Sequence, residues 1–169
     1  MIRTLISSTL FFLAFALFET ALLSNMLFLP ASPDFLLLTL LYIAVQNGRL
    51  FGVTAGFISG LLLDFFTGCP FGLNCLLRTV VGYVAGLFSK SLNQTGMLLP
   101  ALQGLFATLL KILLLWLISL FFPSGIKGYM IFSSARLFEI AGNTLFAPFV
   151  FAFLSLFSRY IVMDVEKVS

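Results

Sequence analysis

The sequence predicts an all-α integral membrane protein, a bundle of six transmembrane helices with both termini in the cytoplasm, and three observations predict it. Of the 169 residues 61% are hydrophobic and only 9% charged, with a mean hydropathy of +1.16. A water-soluble fold of this length needs a charged exterior, so soluble classes are excluded. Apolar stretches of roughly 20 residues recur along the chain, each long enough to cross about 30 Å of hydrocarbon. The runs are continuous rather than alternating, which selects helices over a closed barrel, the two structures that satisfy every backbone polar group in lipid.

The first helix is expected from about Thr4 to Leu23; it is long, carries Glu19 and lacks a small-x-small cleavage site near its end, so it reads as a retained helix rather than a signal peptide. The second is expected from about Asp34 to Gln46, with Ser32 as N-cap and Pro33 at the first helical position. At about 13 residues it rises only about 20 Å, short enough to be re-entrant. The third covers about Leu50 to Phe66, the fourth Leu73 to Phe88, the fifth Met97 to Phe122 and the sixth Ser134 to Arg159, with Pro148 placed to kink it. The connections PASPD, TGCPFGLN and FPSGIKG are short and rich in turn formers, which leaves a single polytopic domain over residues 1–169. Six crossings starting from the inside put Arg3, Arg49, Lys90, Arg159 and Lys167 on the cytoplasmic side and Lys127 alone among basic residues in an outside loop. If the second segment did not cross, Arg3 and Arg49 would fall on opposite sides and this bias would weaken. The 22 phenylalanines read as lipid-facing and packing bulk, and Trp116, Tyr42 and Tyr160 as scattered aromatics or interface anchors.

Two small-residue stripes stand out. Gly52, Gly56, Gly60 and Asp64 recur every four residues on the third helix, and Arg78, Gly82, Gly86 and Lys90 do the same on the fourth. Such stripes let backbones touch, either between these two helices, an antiparallel hairpin closed by the outside turn, or against a helix of another protein. The intramembrane charges form a second pattern. Counting from each helix start places Glu19, Asp64, Arg78, Arg136 and Glu139 in the outer half and Lys111 near mid-helix. Three acids and three bases toward one side imply an ion-paired network or an outward-facing polar pocket, because an unpaired charge in the bilayer is expensive. Arg136, Glu139 and Asn143 share one face of the sixth helix at i, i+3 and i+7. The plain reading is that pairs such as Asp64 with Arg78 fix helix register; a proton or ion pathway would use the same residues, but no broken-helix pair recurs in the two halves of the chain.

Catalysis finds little support. The chain has no histidine, and two cysteines without one make neither a zinc site nor a convincing thiol nucleophile. No phosphate-binding glycine loop, HExxH or GxSxG occurs, so no cofactor, metal or nucleic-acid partner is expected. Cys69 and Cys75 flank the outside turn and read as small apolar fillers, although an oxidising compartment would permit a disulfide.

The stretch PDFLLLTLLYIAVQNGRLFGVTAGFISGLLLDFFTGCPFGLNCLLRTVVGYVAG, Pro33 to Gly86, resembles the rod shape-determining MreD family. A proline precedes a leucine-rich helix, a glycine-spaced helix ends in GLLLD (Gly60 to Asp64), and a turn glycine, Gly72, leads into a helix containing GY. The resemblance implies a non-enzymatic scaffold of the bacterial cell-wall elongation complex in the cytoplasmic (inner) membrane. Its expected partners are a single-pass MreC-like protein and, directly or through it, MreB filaments, the glycosyltransferase RodA and its penicillin-binding transpeptidase, within the lipid bilayer; a homodimer is an open expectation. The family also looks like the six-helix substrate-binding subunits of energy-coupling factor transporters, which supplies the alternative: capture of a vitamin or other small solute in the outer pocket.

Overall fold

A computed structural model describes residues 2–25, 33–67, 70–89, 96–121 and 133–163. Among these the chain is helical: α1 (Ile2–Asn25), α2 (Phe35–Asn47), α3 (Arg49–Thr67), α4 (Leu73–Leu87), α5 (Leu98–Phe121), α6 (Ser134–Leu156) and a single turn, α7 (Ser158–Ile161). Four helices are long and apolar enough to cross a membrane, namely Arg3–Ala21 within α1, Arg49–Thr67, Leu98–Phe121 and Ser134–Leu156, which makes this a multi-pass membrane protein. The remaining two of the six expected spans, α2 and α4, have 13 and 15 residues.

The shortness of α2 has a physical reason. Every residue from Leu36 to Val45 is buried, and the helix is surrounded by α1, α3, α4, α5 and α6. A helix that is apolar all round is a core element, and α2 is the central post of the bundle. Tyr42 is accordingly a core residue, 2% exposed and edge-on to Phe151, rather than an interface anchor. Its N-cap is Asp34, not Ser32, which lies outside the described residues; the Leu37 N–H donates to Asp34 Oδ1 at 2.8 Å. At the far end Gly48, at φ +87°, turns the chain directly into α3, and Asn47 ties that end to α7. The Asn47 side chain donates to the Ile161 carbonyl at 2.9 Å and accepts the Met163 N–H at 2.7 Å.

Two helix pairs close around the post. In the α3–α4 hairpin the two glycine stripes face each other: a Cβ at Gly52 would overlap the Gly82 carbonyl, one at Gly56 the Arg78 carbonyl, one at Gly60 the Asn74 carbonyl, and one at Gly86 the backbone of Arg49. The stripes are thus used within the chain, where backbone meets backbone. The second pair, α5–α6, closes the same way at a place the spacing did not reveal, with Gly104 against Ala147 Cβ and the Asn143 carbonyl. The sixth helix runs through Pro148 but breaks at Phe157, two residues short of Arg159, and resumes as α7. Phenylalanines such as Phe57, Phe65, Phe106, Phe121 and Phe149 point outward as large exposed apolar groups, whereas Phe12, Phe51 and Phe151 fill the core.

Candidate functional site

All four carboxylates among the described residues, Glu19, Asp34, Asp64 and Glu139, are buried, and their partners define the site. Asp34 is the hub. One oxygen accepts from Arg78 Nη2 on α4 and the other from Lys111 Nζ on α5, each at 2.6 Å. Lys111 also donates to Glu139 on α6 at 2.8 Å, and Glu139 in turn pairs with Arg136, one turn earlier, at 3.1 Å. The Asp34 backbone N–H donates to Asn143 Oδ1 at 2.7 Å, Asn143 Nδ2 donates to Thr108 Oγ1 at 2.9 Å, and Thr108 donates to the Gly104 carbonyl at 2.7 Å.

The start of α2 attracts this cluster for a reason beyond pairing. The unpaired N–H groups of a helix's first turn carry partial positive charge and favour carboxylates. Glu19 on α1 lies at the same place, near the Leu36 N–H and within electrostatic range of Asp34, Arg78 and Lys111. Three carboxylates (Glu19, Asp34, Glu139) therefore face three cations (Arg78, Lys111, Arg136), a neutral set spread over α1, α2, α4, α5 and α6. Two of its buried atoms, Glu19 Oε2 and Arg78 Nη1, have no hydrogen-bond partner.

Asp64 does not belong to the network, and the expected Asp64–Arg78 pair does not form. The fully buried Asp64 carboxylate instead receives the backbone N–H groups of Gly72 (2.9 Å), Asn74 (3.1 Å) and Cys75 (3.3 Å) and so caps α4 from the preceding helix. Gly72, at φ +94°, provides the left-handed residue this turn requires. The Cys75 thiol donates to the Phe57 carbonyl at 3.3 Å. Cys69, and with it any disulfide, lies outside the described residues.

Sequence reasoning placed Glu19, Arg78, Lys111, Arg136, Glu139 and Asn143 in a polar cluster but missed its centre. Asp34 was legible only as a helix boundary; the missed signal is that an acid directly preceding an apolar run, in a chain with almost no water-exposed length, has nowhere to go but a buried partner. Among the described residues, none of the network side chains lines either of two cavities of about 480 Å³ each. One is a groove between α4 and α5 over α2, lined by apolar residues and Gln103. The other is a recess lined by Asn47, Gly48, Arg49, Leu50, Gly86, Leu87 and Ser89. No group of three or more metal-ligating side chains occurs among the described residues.

No curated protein and no solved structure matches the chain. A family model does, that of the rod shape-determining protein MreD, and it covers residues 1–157. That family consists of structural membrane proteins that determine rod shape in association with the rod-shape complex. With nearly its whole length matched, its glycine-spaced helix packed on its neighbour and its GLLLD aspartate capping the next helix, the chain belongs to the MreD family.

Proposed function

We propose that the chain is a non-enzymatic scaffold of the bacterial cell-wall elongation complex, crossing the inner membrane six times with both termini in the cytoplasm. In this reading it binds MreC and, through it, links MreB filaments to RodA and the penicillin-binding transpeptidase. The observation that carries the reading is that most of the intramembrane charges bond from one helix to another. Asp34, Arg78, Lys111 and Glu139 each reach across to another helix, and Asp64 is taken up by the α4 N-terminus. Buried ionic groups of this kind fix register and orientation. A solute-binding subunit would instead turn such groups toward a cavity, and neither cavity has one of them in its lining.

The six-crossing arrangement draws support from the burial of α2. A short helix enclosed on all sides can reach across the bilayer as part of the bundle without matching its hydrocarbon thickness, because its ends are covered by protein rather than lipid. The reading is tested by mild-detergent purification of the tagged chain from native membranes, with co-purifying proteins identified by mass spectrometry. Recovery of a single-pass MreC-like protein together with wall-synthesis enzymes is expected. Recovery of ATPases with a transmembrane coupling subunit would replace the scaffold by a transporter subunit.

A further inference from the structure

The described cations that the ion network does not use gather at the opposite end of the bundle. Arg49 opens α3 and Arg159 lies in α7. Arg3 begins α1, whose Phe11 and Phe15 meet Phe157 and Phe153 in antiparallel order, which carries Arg3 past the end of α6. Asn47 binds this end together through its bonds to Ile161 and Met163. All three arginines are exposed. The four described carboxylates lie at the other end, and along α3 alone Arg49 and Asp64 stand about 22 Å apart. Among the described residues, no acid is in reach of these cations.

The recess beside Arg49 lies at this end, between the α2–α3 turn and the end of α4. Its walls are fixed by close contact: a Cβ at Gly86 would overlap the Arg49 backbone, and one at Gly48 would stand 3.6 Å from Ser89 Oγ. The Asn47 amide is taken up by its bonds to Ile161 and Met163, which leaves the Arg49 guanidinium and the Ser89 hydroxyl as the polar side chains available around the recess. Leu50 and Leu87 complete the lining and are 78% and 47% exposed. A cation and a hydroxyl next to two exposed leucines suit an amphiphile. A guanidinium matches a phosphate with two parallel hydrogen bonds, and the leucines fit the glycerol and first acyl carbons that follow it. A soluble anion would leave the leucines unused. The depth also agrees, because a membrane-length apolar helix starts at Arg49, which places the recess at the level of the headgroups. A zwitterionic headgroup would bring its own cation toward an end that already carries three, whereas an anionic one supplies the missing negative charge.

We propose that this recess binds the headgroup phosphate of an anionic glycerophospholipid, with Arg49 as its cationic ligand and the Ser89 hydroxyl as a second donor. The site stands apart from the scaffold reading; only its assignment to the cytoplasmic leaflet rests on the topology proposed there. The test offers phosphatidylglycerol, phosphatidylcholine or inorganic phosphate to the full chain purified in non-ionic detergent. Bound lipid is counted by native mass spectrometry, and the melting midpoint is followed in parallel. Phosphatidylglycerol should be retained and should raise the midpoint, while phosphatidylcholine and inorganic phosphate should do neither. Arg49→Gln should lower the affinity for phosphatidylglycerol roughly fivefold to tenfold, the share of one basic residue at a phosphate. Ser89→Ala, which leaves the α3–α4 contact intact, should lower it roughly threefold and keeps the test open if Arg49→Gln does not fold. Arg3→Gln removes the same charge away from the recess and should cost about twofold at most. Equal losses from Arg49→Gln and Arg3→Gln overturn the proposal in favour of a diffuse basic surface. Stabilisation by inorganic phosphate to the same extent as by phosphatidylglycerol overturns it in favour of a simple anion site. An Arg49→Gln chain that melts lower by the same amount with and without phosphatidylglycerol overturns it as well, because the partner of Arg49 is then within the chain.

Discussion

Replacing Asp34 by asparagine separates its charge from its capping role. An asparagine retains an oxygen that can accept the Leu37 N–H, and asparagine caps helices about as well as aspartate. What is lost is the negative charge between Arg78 Nη2 and Lys111 Nζ, both at 2.6 Å. Lys111 keeps Glu139, but Arg78, 2% exposed, is left as an uncompensated buried cation. Breaking a buried ion pair by removing one partner costs about 3–5 kcal/mol. At roughly 2–4 °C per kcal/mol for a chain of this size, the midpoint of heat-induced loss of monodispersity in detergent should fall by about 6–20 °C. Phe149→Leu, on the exposed face of α6, is the reference for a change without network consequences. Adding Arg78→Met to Asp34→Asn should recover part of the loss, because it removes the stranded cation. The reasoning is refuted if Asp34→Asn melts with the Phe149→Leu control, or if Asp34→Ala shows a large loss that Asp34→Asn lacks; the second outcome would make Asp34 a cap and nothing more.

Two further substitutions probe the α3–α4 hairpin. Gly56→Leu forces a side chain into the Arg78 carbonyl, where backbone cannot yield, and should cost about 3 kcal/mol, at the upper end of overpacking; unchanged melting and unchanged partner recovery would show that the helices can separate freely. Asp64→Ala strips the acceptor from the N–H groups of Gly72, Asn74 and Cys75 and should destabilise by about 2 kcal/mol. At matched protein levels it should also widen cells or reduce complex recovery more than a lipid-facing Phe→Ala change does, and normal width with normal recovery would count against a role for this cap in assembly.

The helices and the α3–α4 contact were legible because both depend on local signals. Apolar run length marks a helix, and a four-residue glycine period places its small residues on one face whatever the rest of the chain does. The destination of a charge is not local. Arg78 follows Asp64 closely in sequence, and proximity suggests a pair, yet Arg78 reaches Asp34, 44 residues away. The competing partner was backbone: α4 begins with three N–H groups aimed at Asp64, and they take up most of the carboxylate's acceptor capacity. Gly104 escaped notice because a single glycine carries no period, and Gln103 because an amide in a transmembrane run reads as polar decoration until its unpartnered burial is seen.

The arrangement of fixed and open surfaces bears on how a scaffold of this kind can work. The central helix α2 is pinned at one end by Asp34, whose carboxylate draws in α4 and α5 and whose N–H reaches Asn143 on α6, and at the other by Asn47 bonded to the α7 turn. A buried ionic network contributes less net stability than its geometry suggests, since desolvation offsets much of the attraction, but alternative helix registers would strand its charges. The α3–α4 and α5–α6 pairs are closed by backbone contacts that tolerate no sliding. The seam between α4 and α5 lacks such a closure, and there the walls part to leave the apolar groove. A protein that must present one surface to a partner while staying in the bilayer gains from this division, because the partner meets walls already held in place and pays little to order them. Loosening the network at Asp34 should therefore weaken partner binding although Asp34 itself is buried and meets no partner, and full partner recovery by Asp34→Asn at matched protein levels would refute this.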